Sequence, residues 1–330
     1  LCNYWINFKI NKKLKFALIA CSNGLGHVRR VVAISAFMLK NGFEGKIDAF
    51  LPIKSLKNLN YWDEYIYFNN HSNVKIIDSS WHMPNSGRNG FQEYNKEHIE
   101  NAIFFDIDKN SNKKSKLPHM LPEQHEWNKI VSNSGISNSD KIVIYDNSDV
   151  LSSCRCWYTF IFFGHNPSLV SVLDGGLFKW KKENKVVTDK KTKIVNTNYS
   201  SVKNNHLVKT KKEIENNIIN KEFKVVDARS KNRFLGLEKE PRPGLRSGSI
   251  KNSFCLPFGD LINKNDKTFK DKNFIKKKFE DLGITNENNI VFSCGSGITA
   301  AVLALAYSLI NDKYSPTVYD GSWAEYGMIK

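Results

Sequence analysis

GISNSDKIVIYD (residues 135–146) and GITNENNIVFSC (residues 283–294) align without a gap at an offset of 148. Each reads as a glycine that stops a helix, a polar turn, and an apolar β-branched run of the kind found in buried strands. Three further pairs keep the same order and nearly the same spacing. KIIDSSW from Lys75 matches KVVDARS from Lys224, EHIENAIFFD from Glu97 matches GSIKNSFCLPF from Gly248, and SVLDGG from Ser171 matches TVYDGS from Thr317, at offsets of 149, 151 and 146. Four ordered blocks signify a duplication, with two similar units of roughly 110 residues each.

Within each unit, short apolar runs alternate with helical patterns, which is the α/β signature of a parallel sheet flanked by helices. Phe274, Ile275, Phe279 and Leu282 recur at helical spacing before Gly283, as Trp127, Ile130 and Val131 do before Gly135. The expected organisation is an N-terminal extension at 1–72, a first unit at 73–182, a linker at 183–220 and a second unit at 221–330. The Lys- and Asn-rich linker is expected to be exposed, and Thr210 to Glu213 form a capping-box pattern that opens a helix.

Composition excludes several classes. With 330 residues, 41% apolar and 12% aromatic, the chain can bury one or two full cores, so disordered, collagen-like and coiled-coil classes fall away. The formal charge of +16 comes from 49 basic against 33 acidic residues, but only eight of the cations are Arg. A Lys-rich surface is solvated rather than built for base or phosphate recognition, so no nucleic-acid partner is expected. Four arginines, Arg229, Arg233, Arg242 and Arg246, crowd into 18 residues, where an anion could bind. The six cysteines have no zinc or disulfide-framework spacing, which predicts a reducing, cytoplasmic setting and no metal. The apolar stretches are too short or too mixed to span a bilayer, no secretory cleavage pattern follows the first lysines, and no membrane partner is expected. A start at Leu rather than Met points to a processed, truncated or mis-assigned beginning.

The sharpest chemical signal is Cys294. The strand Ile290 to Ser293 runs into Cys294-Gly295-Ser296-Gly297-Ile298-Thr299 and then an Ala-rich helix. That order puts the sulfur at the C-terminal edge of a parallel sheet, with loop N–H groups and a helix dipole behind it to stabilise a thiolate. The first unit has Asp146 at the matching position and a longer NSDVLSS loop, so one copy is expected to be active and the other not. A buried, inert cysteine at a strand end is the alternative reading of the residues alone.

CGSGIT, RFLGLEKEPRPGLRSG, YDGSW, SWHMP, FFDID, LPHML and LDGGLFKW together resemble the two-domain rhodanese-type sulfurtransferases, and most closely the 3-mercaptopyruvate sulfurtransferases, over residues 73–330. The resemblance implies tandem rhodanese-like domains with the active site in the cleft between them, and no cofactor. It implies that Cys294 takes sulfur from a 2-oxo acid thiol donor as a persulfide, held by the loop Gly295, Ser296, Gly297, Ile298 and Thr299, and passes it to a thiol acceptor such as thioredoxin or a small thiol. Substrate-carboxylate arginines fall on Arg233 and Arg242. Members that prefer thiosulfate carry basic residues after the cysteine, whereas Gly295 and Ser296 stand here, which favours mercaptopyruvate. Ser296 matches a serine that relays a proton with a histidine and an aspartate of the first domain. The histidine is matched to His98, and Asn89 stands where the aspartate is expected. His119 and Trp323 are read as packing and loop support, Arg229 and Arg246 as salt-bridging, and Cys154, Cys156 and Cys255 as core. A thiosulfate:cyanide sulfurtransferase and a non-catalytic rhodanese-type binding module are the alternatives.

The first 72 residues stand outside this pattern. LKFALIACSNGLGHVRRVVAISAFMLKNG, from Leu14 to Gly42, reads as a strand, a Gly-Leu-Gly-His turn and an amphipathic helix. It resembles the opening unit of nucleotide-sugar glycosyltransferases over one motif, with no room left for that enzyme's second domain. A catalytically silent fused fragment, or a joining error in the reading frame near residue 70, is expected.

Overall fold

A computed structural model of the chain describes residues 16–19, 47–50, 74–285 and 289–329. The chain divides near Val74 into two units. In the N-terminal one, β1 (Phe16–Ile19) pairs in parallel with β2 (Ile47–Phe50), Phe16 opposite Ile47. β1 lies within the expected strand, and β2 adds a second strand to the expected extension. The Gly24 to Arg29 loop and the helix expected to end at Gly42 lie outside the described residues.

The second unit holds both repeats. The first comprises β3 (Val74–Asp78), α1 (Gly90–Lys96), β4 (Ala102–Phe104), α2 (Gln124–Asn133), β5 (Lys141–Tyr145), α3 (Ser153–Phe162), β6 (Val170–Val172) and α4 (Gly176–Lys182). The second comprises β7 (Val208–Lys209), α5 (Lys211–Asn220), β8 (Lys224–Asp227), α6 (Lys231–Leu235), β9 (Phe254–Cys255), α7 (Lys272–Glu280), β10 (Ile290–Ser293), α8 (Ile298–Ser308), β11 (Val318–Tyr319) and α9 (Ser322–Tyr326). The sheet orders are β4-β3-β5-β6 and β9-β8-β10-β11-β7, so the duplicated strands occupy the same places and β7 is an addition. Strand pairs such as β5 with β6 and β8 with β10 are parallel. Their carboxyl ends, and therefore the loops after β5 and β10, lie at the sheet edge where ligands bind in such folds.

Local chemistry explains the elements. α7 buries Ile275 and Phe279 and stops before Gly283, whose φ of +69° suits a glycine. The Thr210 capping box is present, each of Thr210 and Glu213 bonding the other's backbone N–H. Segment 183–220, expected to be a solvated linker, differs. Its last part supplies β7 and α5 to the second sheet, and its first part is strapped to the first repeat. There Thr192 Oγ1 donates to the Ala102 carbonyl at 2.6 Å, Thr197 Oγ1 to the Ile136 carbonyl at 2.5 Å, and Tyr199 is buried. Lys190, Lys191, Lys193, Asn196 and Asn198 are exposed while Thr and Tyr anchor the backbone.

The two repeats share one apolar core, in which α3 packs on α8. Every residue of α3 is buried, and Ala300, Ala301 and Ala304 give α8 the small face that lets the helices close. Cys154 and Cys156 lie in this core, where burial pushes both thiols up. They are structural, as the apolar pattern around them suggests.

Candidate active site

Cys294 directly follows β10, and Gly297, at φ +82°, turns the chain into α8. Three anchors fix this turn. The Cys294 N–H donates to Ser322 Oγ at 3.1 Å, and the Cys294 and Gly295 carbonyls accept from the N–H groups of Trp323 and Ala324 at 2.9 and 2.8 Å. Ser322 itself stands at φ +47°, a left-handed conformation that costs a non-glycine residue about 1–3 kcal/mol. The first repeat has Gly176 at the corresponding place, φ +52°. In the second repeat the hydroxyl of the serine that stands there holds Cys294.

The sulfur is buried with its residue only 2% exposed, and the Gly297 N–H donates to Sγ at 3.1 Å. The N–H groups of the first turn of α8 have no intrahelical acceptor, so the positive end of an eleven-residue helix stands behind the sulfur. Negative charge on the sulfur, or on an atom attached to it, is stabilised there.

Both predicted arginines lie over the loop. A β-carbon at Gly295 would sit 3.1 Å from Arg233 Nη2 and 3.8 Å from Arg242 Nη1, so glycine leaves the space the guanidiniums use. Arg233 is neutralised by Glu240, Nη2 to Oε2 at 2.6 Å. Arg242 has no ion-paired carboxylate among the described residues and donates to Ser296 Oγ at 3.3 Å. Burial pulls the Arg242 guanidinium below its ordinary range, Arg233 adds to this, and Cys294 opposes it. Two adjacent cations with one intramolecular counter-charge make a site for a small carboxylate or another anion.

The histidine assignment needs correction. His98 is buried away from this loop, its Nδ1 against the Tyr94 carbonyl at 2.7 Å and its Nε2 against the Lys190 carbonyl at 3.1 Å, with its ring stacked on Tyr94. Its ring nitrogens face a carbonyl of α1 and a carbonyl of the strap rather than Ser296. Asn89 caps α1 by accepting from the Gln92 N–H. The histidine that meets Ser296 is His119, Nδ1 to Oγ 3.0 Å, and its Nε2 lies 3.1 Å from Asp108 Oδ1. A carboxylate only accepts, so Nε2 carries the hydrogen and Nδ1 of the neutral ring accepts from the Ser296 hydroxyl. The hydrogen bond from His119 holds the Asp108 carboxyl below the usual range. Trp81 completes the support, donating from its indole to Asp108 Oδ2 at 2.9 Å and lying edge-on to the imidazole at 4.8 Å. Asp108 ends FFDID and His119 is the centre of LPHML, so the two residues lay within motifs already singled out, eleven apart.

The remaining assignments divide. Arg229 is buried and paired with Asp227 and Glu240, each at 2.7 Å, so its role is structural. Arg246 lies over the Trp323 ring, and Trp323 is fully buried packing. Cys255 is half-buried, with burial pushing its thiol up to about 11. No cluster of His, Cys, Asp and Glu able to hold a metal is found among the described residues, and none of their helices is long and apolar enough to cross a membrane.

The chain matches the Rhodanese-like domain family twice, over residues 64–183 and 210–328. It is 36% identical over 274 residues to the mitochondrial thiosulfate/3-mercaptopyruvate sulfurtransferase 1 of Arabidopsis thaliana, covering 77% of this chain and 71% of that protein. It is 36% identical over 257 residues to the 3-mercaptopyruvate sulfurtransferase of Mus musculus, covering 77% of this chain and 85% of that one. The thiosulfate sulfurtransferase of Mus musculus is 35% identical, over 77% of this chain and 84% of that protein. Among solved structures, the 3-mercaptopyruvate sulfurtransferase SseA of Escherichia coli superposes with a TM-score of 0.69 at 28% identity, over 80% of this chain and 97% of that one. With a strand-end cysteine in one repeat, an aspartate in its twin and both repeats matched end to end, the chain belongs to the rhodanese-like domain family as a tandem pair.

Proposed function

We propose that the protein is a 3-mercaptopyruvate sulfurtransferase working through a Cys294 persulfide. The observation that carries this reading is the convergence on one loop of a sulfur, a carboxylate-sized pair of guanidiniums and a Ser296–His119–Asp108 chain. Arg242 and Arg233 hold the donor's carboxylate and 2-oxo group, which turns its thiol sulfur toward Cys294 Sγ. The thiolate attacks that sulfur, an S–S bond forms, the C–S bond breaks, and its electron pair leaves on carbon as the enolate of pyruvate. The donor's thiol proton ends on that carbon, and Ser296, hydrogen-bonded to His119, is placed to carry it. The outer sulfur then bears the charge, within reach of the loop and helix N–H groups in the manner of an oxyanion site. An incoming thiolate attacks the outer sulfur and restores Cys294. No external oxidant or reductant is needed.

Thioredoxin or a small thiol is the proposed acceptor, and a reducing cytoplasmic compartment the proposed setting. The test is intact mass after exposure to mercaptopyruvate. One added sulfur atom, lost on thiol treatment and absent in Cys294→Ser, is expected, and an unchanged mass overturns the proposal. Thiosulfate assayed beside mercaptopyruvate decides the preferred donor, for which the second expectation is a lower kcat/KM with thiosulfate.

A further inference from the structure

The two repeats cover each other's loops reciprocally. The segment after β4 lays His119 and Leu121 over the Cys294 loop, while the segment after β9 lays Lys267 and Phe269 over the Asp146 loop. His119 and Lys267 share an unusual left-handed backbone, φ +61° and +60°. The Leu121 N–H donates to Asp320 Oδ2 at 2.9 Å, and the Phe269 N–H donates to Asp174 Oδ1 at 2.8 Å. Asp320 and Asp174 are the aspartates of YDGS and LDGG. His119 reaches Ser296, and Lys267 reaches Asp149 at 2.6 Å.

One residue breaks this symmetry. Arg155 and Ala300 are each the third residue of the helix that follows its loop. The helix after the Cys294 loop has alanine at this place. The helix after the Asp146 loop has an arginine, 2% exposed, which reaches across to the Cys294 loop: its Nη2 donates to Asp320 Oδ1 and to the His119 carbonyl, both at 2.6 Å, and its Nη1 lies 3.4 Å from the Gly297 carbonyl. Burying an ion pair is weak support for stability, and the twin interface closes without one. What the arginine adds is a grip on the strained backbone of His119 and on the residue whose N–H faces the sulfur.

We propose that Arg155, from the repeat without a nucleophile, acts with Asp320 as a positioning residue for the sulfur chemistry of the other repeat, fixing His119 against Ser296. This rests on the function proposed above. The test compares Arg155→Met with the mirror-side Lys267→Met, each alone and combined with His119→Ala. Pyruvate release and the imidazole nitrogen chemical shifts of His119, read by NMR, are followed together. Arg155→Met lowers kcat by about a hundredfold with KM within about twofold, since an ångström of misplacement costs about that much. In the His119→Ala background it causes no further loss. Lys267→Met leaves kcat and the His119 signals unchanged, whereas Arg155→Met moves them. Because Arg155→Met strands a buried carboxylate, Arg155→Met/Asp320→Asn is the second variant and shows the same kcat loss. Equal losses with and without His119, or unmoved His119 signals in both Arg155 variants, overturn the proposal. A wild-type chain that released no pyruvate would sink the proposed function alone, because the His119 signals still decide the positioning role.

Discussion

The loops that follow β5 and β10 occupy equivalent places, yet they spend their hydrogen-bond donors differently. In both, the first carbonyl is caught by the helix across the sheet edge, the Asp146 carbonyl by the Leu177 N–H and the Cys294 carbonyl by the Trp323 N–H, each at 2.9 Å. Asp146 then turns its own carboxylate onto the loop and accepts from the N–H groups of Ser148 and Ser153, both at 2.8 Å. The cradle is already filled by a carboxyl group of the chain itself, which burial pushes up from the usual carboxylate range. Among the described residues Cys294 takes only the Gly297 N–H on its sulfur, and its helix begins four residues later rather than seven. The cations above differ likewise. Arg88 is clamped by Glu93, 2.7 Å from each carboxylate oxygen, and donates to the Asn147 carbonyl, whereas among the described residues Arg242 donates only to the Ser296 hydroxyl. A duplicated scaffold loses its chemistry when its own side chains satisfy its donors, with the fold unchanged.

The largest expected effect breaks the comparison outright. Cys294→Ser abolishes sulfur acceptance, a loss of at least about a thousandfold, while circular dichroism stays native. Asp146→Cys does not restore a second site, because the first loop is longer and Lys267 rather than a histidine faces it; persulfide found at 146 would overturn the account. Next come His119→Gln and Asp108→Asn. Loss of the relay lowers kcat about a hundredfold to ten-thousandfold for His119→Gln, and less for Asp108→Asn, which keeps a hydrogen-bond acceptor. By contrast His98→Gln leaves kcat within about twofold and lowers stability by about 1 kcal/mol, the worth of a hydrogen bond. Arg242→Ala raises KM for mercaptopyruvate about tenfold to a hundredfold, as removal of a charged hydrogen bond predicts, and more than for thiosulfate. Equal effects on the two donors would count against a carboxylate role.

What was legible in the chain follows from what repeats. Duplication exposed both sheets, and a strand, a glycine loop and an Ala-rich helix marked Cys294 without any partner in view. Arg233 and Arg242 were legible through the resemblance of RFLGLEKEPR to a family motif. The resemblance called for a histidine and an aspartate of the first repeat, but His119 was read as packing and Asp108 was given no role, because their meeting with Ser296 depends on how the interface closes. His98 carried a more conspicuous setting, EHIENA, but its nitrogens are consumed by the Tyr94 and Lys190 carbonyls. The strap at 183–220 was hidden by its Lys and Asn content, since the residues that anchor it, Thr192, Thr197 and Tyr199, are few.

A stability effect sharpens the comparison at the first strand of each repeat. Asp78 and Asp227 end β3 and β8, and the residue two positions on is Ser80 in one repeat and Arg229 in the other. Asp227 is met by the buried Arg229 guanidinium at 2.7 Å. Asp78, 1% exposed, accepts only neutral donors such as the Ser80 N–H at 2.9 Å, and burial pushes its carboxyl up to about 6 from 3.8. The folded state therefore holds the proton more tightly than the unfolded chain does, and stability falls as pH rises from about 4 through about 6. Above that window the ionised carboxylate costs about 3 kcal/mol. Asp78→Asn keeps the oxygen that accepts from Ser80 and removes the charge, so it flattens denaturant stability across that window and raises it at neutral pH by up to about 3 kcal/mol. Asp227→Asn does the opposite, lowering neutral-pH stability by up to about 3–5 kcal/mol because a buried guanidinium loses one of its two partners. If both substitutions moved stability in the same direction, the contrast between a lone carboxyl and a paired one would not be what separates the two strand ends.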